Sequence, residues 1–189
     1  MMHNMKKSII HKIKKIIMVV LILFISLTIY NDFTFNKSME EGKNAVLNKN
    51  YNEAKQLFEK AVNKKRRNRE AVGLYKQTDK LIQVIKLDKE GYTEEAIELC
   101  KNINNIHSED ILVQKVANNL KKEYSSKIEK ENEYENNLNI KLQEAKALVD
   151  NFDYGPGEVA LKKIIEEIKD TGMYEMQLQE AQQYLKKCK

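Results

Sequence analysis

An uncharged apolar run over residues 16–30 constrains this chain more than any other segment, because it lies directly behind a cluster of lysines. Fifteen helical residues cover only about 22 Å, which is less than a hydrocarbon core about 30 Å thick. Extending the run to residues 13–33, with Lys14 and Lys15 reaching back to the headgroups, gives 21 residues and a sufficient length. The run therefore predicts a transmembrane anchor over residues 13–33.

The charges beside the anchor predict its orientation. Residues 1–15 form a basic tail that carries five lysines, and no acidic residue precedes Asp32. The positive-inside rule places such a tail in the cytoplasm and residues 36–189 on the other side of the membrane. Tyr30, Phe33 and Phe35 then lie at the far interface, where aromatic rings are favoured.

Two other interpretations of the apolar run remain open. A cleaved signal peptide requires small residues after the apolar core, whereas "SLTIYNDFTF" offers bulky ones. Alternatively, the run is short enough to be a helix that is buried in a globular core. The favoured interpretation is an uncleaved signal-anchor and a single-pass protein of the cell membrane.

The composition indicates an all-α fold and argues against a nucleic-acid partner. One proline, six glycines and no tryptophan in 189 residues leave too few turn residues for a sheet fold. The abundance of Lys, Asn and Ile is typical of a bacterium with an A/T-rich genome. The net charge of +5 belongs to the tail, since the chain beyond residue 15 carries as many acidic as basic groups.

Three stretches repeat one helical pattern. "NKNYNEAKQLFEKAV" and "EGYTEEAIELCKNI" align with Ala54 on Ala96 and Lys49 on Gly91, an offset of 42 residues. "YGPGEVALKKIIEEI" adds a third match, with Gly155 on Gly91 and Ala160 on Ala96, at an offset of 64. Each is preceded by a second helical pattern; the first of these begins at Ser38, whose partner Glu41 completes a capping box.

A helix, a short turn and a second helix with small residues at the crossing resemble the tetratricopeptide repeat. Residues 39–62 are similar to one repeat, and a second copy shares the entry to the second helix. The matching residues are Gly42, Tyr51, Ala54, Phe58 and Ala61 in the first copy and Gly91, Ala96 and Ile97 in the second. The resemblance implies stacked hairpins over residues 36–189, with a concave groove lined by the first helices. A generic helical bundle, which has no groove, is the alternative.

The segment 108–151 contains neither glycine nor proline, and it predicts one long helix. Ser108, followed by two acids, is the expected helix start. Two helices that meet near residues 131–137 are the alternative, because the apolar stripe thins out there. A last helix follows, in which Met173, Met176, Leu178, Ala181 and Leu185 are available to cover an exposed end.

No residue pattern predicts catalysis, a metal site or a cofactor. His3, His11 and His107 do not cluster, and no phosphate-binding or nucleophile motif occurs. Cys100 is expected in the core and Cys188 as a mobile thiol, with no disulfide between them. The chain is therefore not expected to be an enzyme.

Two groups of polar residues are candidates for binding. The first helices of the hairpins present possible partner contacts at Asn44, Asn48, Lys76, Lys80 and Gln83. A basic run suits anionic lipid headgroups or a phosphate-rich wall polymer, although a solvated loop is the plainer interpretation; it comprises Lys64, Lys65, Arg66, Arg67 and Arg69.

These patterns predict a membrane-anchored helical-repeat scaffold that binds another protein outside the cytoplasmic membrane. The first alternative is a structural spacer that forms homo-oligomers, for example a coiled coil built on the long helix. The second is a protein that binds envelope polymer or lipid without enzymatic activity.

Overall fold

The computed structural model describes the backbone of residues 2–189 and the side chains of residues 14–189. Within that range the protein is all-α, with no strands. The seven helices are α1 (Met2–Leu47), α2 (Tyr51–Lys64), α3 (Arg69–Lys89), α4 (Thr93–Asn104), α5 (Leu112–Asp150), α6 (Tyr154–Ile168) and α7 (Glu175–Lys187). Most of the predicted basic tail, including His3 and His11, lies outside the described side chains.

Helix α1 carries the apolar run directly into the first hairpin. It is continuous over 46 residues, and its large apolar side chains from Ile16 to Phe33 are exposed, whereas Phe35 and Met39 are buried. One helix is therefore long and apolar enough to span a membrane. The predicted capping box at Ser38 is wrong, because no glycine or proline interrupts the backbone there and the helix passes through.

Three helix-to-helix turns share one geometry. Each contains a residue with positive φ: Lys49 at 61°, Gly91 at 87° and Phe152 at 68°. In each turn, the N–H of the positive-φ residue donates to the carbonyl three residues before it. The N–H of the following residue donates to the carbonyl five residues before that residue. The N···O distances of these bonds are 2.8–3.0 Å. This pair of bonds is the Schellman helix end. The first two hairpins therefore have the turn register that the sequence predicts.

The third hairpin has a different register from the predicted one. Phe152, not Gly155, occupies the left-handed position, so 61 residues rather than 64 separate the second and third turns. Gly155 lies inside the first turn of α6 and has no positive φ. Glycine was a misleading marker, because a single non-glycine residue adopts the left-handed conformation at a modest cost in free energy.

With the turns in register, the buried positions also coincide. Five residues after each turn residue lies a buried alanine or glycine, and the same turns align six buried positions on the two helices. The equivalent sets are Phe35, Met39, Gly42, Ala54, Phe58 and Ala61; Gln77, Leu81, Val84, Ala96, Cys100 and Ile103; and Leu138, Leu142, Ala145, Gly157, Leu161 and Ile164.

The chain divides into two compact units, Met1–Tyr124 and Ser125–Lys189. In the first unit α2 packs on α1 and α3, and α3 packs on α4, around one apolar core. Gly42 permits a close crossing of α1 and α2, since a Cβ at this position would lie 2.7 Å from a ring carbon of the fully buried Phe58. The start of α5 contributes Val113, Ala117 and Tyr124 to this core.

The second unit has its own core. The later part of α5 and helices α6 and α7 bury Leu142, Leu161 and Ala181 among its members. Lys146 forms an ion pair with Glu180 across the α5–α7 interface. Leu178 and Leu185 are partly buried as expected, but Met173 and Met176 are 64% and 77% exposed and cover nothing in the described structure.

Helix α5 runs without a break from Leu112 to Asp150, which confirms one long helix rather than two. Its predicted start at Ser108 is wrong. Ser108 is buried against α3, and the helix begins at Leu112, whose N–H donates to Asp110 Oδ1 at 2.8 Å. Tertiary contacts therefore hold residues 106–110 in a loop that the local sequence does not require.

Candidate functional site

A groove lies beside the first two helix-to-helix turns, and we call it the turn groove. It has a volume of about 700 Å³ and is formed by the start of α2 and the end of α3. Half-buried Ile82 and Ile85 form apolar parts of its lining, and most of the other lining side chains are charged or polar. The full lining is Lys49, Asn50, Tyr51, Asn52, Glu53, Ile82, Ile85, Lys86, Lys89 and Glu90.

The structure separates the five predicted partner contacts. Asn44 and Asn48 line a hollow of about 310 Å³ that shares Asn50 and Glu53 with the turn groove, so they border the same surface. Lys76 lines a different hollow. On α3, Lys80 is half-buried, and exposed Gln83 donates to Asp79 Oδ2 at 3.2 Å.

The basic run occupies the loop between α2 and α3 and is attached to α1 where the exposed apolar segment ends. Lys65 Nζ lies 3.0 Å from Asp32 Oδ1 and 4.4 Å from the centroid of the Phe35 ring. Lys64 Nζ donates to Asn31 Oδ1 at 3.4 Å and lies 5.6 Å from the centroid of the Tyr30 ring. These contacts hold the loop at the level of the predicted interfacial aromatic residues.

The three arginines of the run line a second concavity, which we call the cationic hollow. Its volume is about 520 Å³, and its lining consists of Arg66, Arg67, Asn68, Arg69, Val72, Gly73, Lys76, Ile106 and His107. That lining contains four permanent cations and a histidine but no carboxylate. The three arginines are exposed, and none forms an ion pair with any residue whose side chain the structure describes.

Contacts between distant segments build the cationic hollow. A Cβ at Gly73 would lie 2.4 Å from the carbonyl oxygen of His107, so only glycine lets the α4–α5 loop approach α3 this closely. Buried Gln77 donates from Nε2 to the carbonyl of Ile106 at 2.7 Å. On the other side, Asn68 Oδ1 accepts the N–H of Ala71 at 2.8 Å and caps α3.

One lysine joins α1 both to α3 and to the α4–α5 loop. Lys43 Nζ lies 2.8 Å from Glu70 and 2.8 Å from Asp110. Burial opposes the charge of Lys43, but hydrogen bonds to the two carboxylates outweigh it and raise the lysine pKa. Burial likewise disfavours ionised Asp110, but the bond from Lys43 and the Leu112 N–H lower the pKa of Asp110. The α4–α5 loop is thus also held by charge.

Cys100 and His107 lie where the sequence predicts, whereas Cys188 packs against the second core and donates to the carbonyl of Tyr184 instead of being a mobile thiol. Cys100 is fully buried, and burial raises the pKa of its thiol to about 11. Cys188 is half-buried, both thiols are free, and His107 is exposed in the loop after α4. No group of three or more metal-ligating side chains occurs among the described residues.

Sequence reasoning missed several residues of these two surfaces. The helical spacing of Ile82 and Ile85 is that of ordinary core positions, and no local pattern links Lys76 with the basic run or with His107. Gly73 is the one local signal, because a glycine in the interior of a helix costs about 1 kcal/mol and indicates a close approach.

No protein-family model matches the chain, and no curated protein or solved structure shows significant similarity to it. The resemblance to tetratricopeptide repeats therefore stays a prediction that rests on residues of this chain.

Proposed function

We propose that this protein is a membrane-anchored scaffold that binds another protein through the turn groove. The observation that carries the proposal is the groove itself, in which half-buried Ile82 and Ile85 share the lining with Tyr51, two asparagines, three lysines and two glutamates. An apolar centre with a charged rim is the usual anatomy of a protein interface. An amphipathic segment with apolar side chains between charges of both signs fits this surface.

The three equivalent hairpin turns support the tetratricopeptide-like part of the proposal, and the exposed apolar run on α1 supports the anchor. The proposed topology has residues 1–15 in the cytoplasm and residues 36–189 outside it. The protein then acts by holding its partner near the membrane, which raises the effective concentration of the partner there. The proposal assigns no enzymatic reaction and no cofactor to the chain.

Site-specific photo-crosslinking in cells tests the partner surface. A photoreactive residue in place of Lys89 or Asn48 should capture a discrete protein, because both positions border the turn groove. The matched control is Lys60, which is equally exposed but lines neither hollow. Capture of only lipid or wall polymer at Lys89 and Asn48, or the same products at Lys60, contradicts the scaffold.

Two further measurements test the proposed orientation in the membrane and the alternative of an oligomeric spacer. Protease added to intact cells should degrade the region after residue 36, and full protection contradicts the proposed orientation. Light scattering on the full chain in detergent tests the alternative of an oligomeric spacer. A monomer at high concentration counts against the spacer, and a stable oligomer favours it.

A further inference from the structure

We propose that the cationic hollow binds the phosphate group of an anionic lipid in the membrane leaflet on the side of residues 36–189. This inference rests on the proposed membrane anchor, but it assigns a second ligand to a surface distinct from the turn groove. It would make the protein sensitive to lipid composition as well as to its protein partner.

The position of the loop is the first argument. Lys64 and Lys65 contact Tyr30, Asn31, Asp32 and Phe35, and these residues include the end of the exposed apolar segment. Arg66 follows Lys65 directly, and neighbouring Cα atoms lie about 3.8 Å apart. The headgroup layer adds roughly 5–8 Å to each side of the hydrocarbon core. A span that ends near Phe33 therefore places the arginines at headgroup depth.

The chemistry of the lining is the second argument. Arginine binds phosphate oxygens with two parallel N–H groups, and Arg66, Arg67 and Arg69 converge on the hollow with Lys76. With no carboxylate in the lining, these cations have no anion of their own there. Each basic group near an anionic leaflet strengthens binding about fivefold.

The apolar lining distinguishes a lipid from free phosphate. Val72 and Ile106 line the same hollow beside the arginines. A phospholipid offers them its glycerol and first methylene groups, whereas an inorganic phosphate ion offers only oxygen atoms. The contacts that fix Gly73, Gln77 and Asn68 hold the hollow open before a ligand arrives.

Lipid titration of the full chain in detergent micelles tests the inference. Fluorescent phosphatidylglycerol should bind more tightly than fluorescent phosphatidylcholine. In the triple variant R66Q/R67Q/R69Q, affinity for phosphatidylglycerol should fall about tenfold or more, with the phosphatidylcholine signal unchanged. The single variant Lys76→Gln should show a smaller fall in the same direction, because it removes one cation from the same lining.

The triple variant K49Q/K86Q/K89Q is the matched control. It removes the same charge, but Lys86 and Lys89 lie near the opposite end of α3 from Arg69, about 25–30 Å away along the helix. Equal loss of affinity in the two triple variants reduces the effect to net charge and overturns the site. Circular dichroism of each variant establishes that its helix content is unchanged.

The alternative sources of phosphate and the proposed function are tested separately. Competition by inorganic phosphate alone, or tighter binding of a soluble phosphate-rich wall polymer than of phosphatidylglycerol, overturns the lipid assignment. A chain that co-floats with phosphatidylcholine vesicles but shows no preference for phosphatidylglycerol refutes this inference and leaves the anchor intact. A chain that co-floats with neither vesicle refutes the anchor itself.

Discussion

At several positions in this protein, the residue type is determined by how closely a helix approaches a neighbouring segment. Gly42 and Gly73 both lie in helices where a Cβ would collide with a neighbour, whereas Gly155 has open space around it. The surroundings likewise identify Cys100 as a core residue, since it occupies the buried position that Phe58 holds in the first hairpin. A glycine or a cysteine therefore has to be interpreted from its surroundings rather than from its type.

Replacing Gly42 with alanine should destabilise the first unit. The added Cβ would lie 2.7 Å from a ring carbon of the fully buried Phe58, so the ring or the helix would have to shift. We expect the free energy of unfolding to fall by about 1 to 3 kcal/mol, measured by urea denaturation of the full chain in detergent. Gln56→Ala, on the exposed face of α2, is the control and should leave stability equal or slightly higher. Equal effects of the two changes would refute the close crossing.

The two thiols should react differently with alkylating agents. Because burial raises the pKa of Cys100 to about 11, its thiol stays protonated at pH 8, and the folded core also excludes the reagent. Mass spectrometry after iodoacetamide treatment should find Cys188 modified in the folded protein and Cys100 modified only after denaturation. Modification of both at the same rate would show that α4 is not packed as described.

At the scale of elements, the helix ends determine how the helices pair more than the helix interiors do. The three Schellman turns set the register of the hairpins, and two of them use a residue other than glycine. Helix α5 shows the opposite case, since its middle has mostly exposed side chains and depends on intrinsic helix propensity.

Replacing Lys49 with glycine should stabilise the first hairpin. Lys49 has a φ of 61°, which costs free energy for a residue with a Cβ. We expect a gain of about 0.5 to 1 kcal/mol after the greater entropy of unfolded glycine is subtracted, measured by urea denaturation. Gly91→Ala should lower stability, because its φ of 87° suits glycine. Lys60→Gly, inside α2, controls for the residue type and should also destabilise, by about 1 kcal/mol.

The middle of α5 should exchange its amide hydrogens faster than its two ends. Residues 129–133 are exposed, whereas the ends of the helix bury Val113 and Ala117 on one side and Leu142 and Val149 on the other. Most helix stability comes from tertiary packing, so local opening is easiest in the middle. Hydrogen-exchange mass spectrometry measures this, and the double variant N132A/N136A should slow exchange there. Uniform protection along α5 would contradict the argument.

At the scale of the whole molecule, two cores exist where the sequence suggests one continuous stack of hairpins. Unit 1 combines the first two hairpins with the start of α5, and unit 2 contains the third hairpin with α7. Both candidate surfaces, the turn groove and the cationic hollow, belong to unit 1.

Matched core substitutions should affect the two units separately. Leu81 and Leu161 are both fully buried, one in each core. Leu→Ala at either position should cost about 2 to 5 kcal/mol. In hydrogen exchange, L81A should lower protection mainly over residues 35–124 and L161A mainly over residues 138–188. If each variant lowers protection equally in both units, the two cores unfold as one.

Local patterns in the sequence sufficed for the all-α class, the apolar helix, the first two hairpin turns and the burial of Cys100. Each depends on residues within one or two helical turns, such as the spacing of Ala54 and Phe58, or on the scarcity of glycine and proline. Such signals act through helix periodicity and backbone freedom, which do not require a knowledge of the rest of the fold.

Only the tertiary structure decided the continuity of α1 through Ser38, the late start of α5 and the register of the third hairpin. It also brought Lys76 and His107 to the arginines of the α2–α3 loop and placed that loop against the end of the apolar segment. The late start of α5 and the position of the α4–α5 loop depend on contacts between residues far apart in the chain, such as Gly73 with His107 and Lys43 with Asp110. Packing and charge pairing across that distance outweigh local preference, which is why the sequence alone did not reveal them.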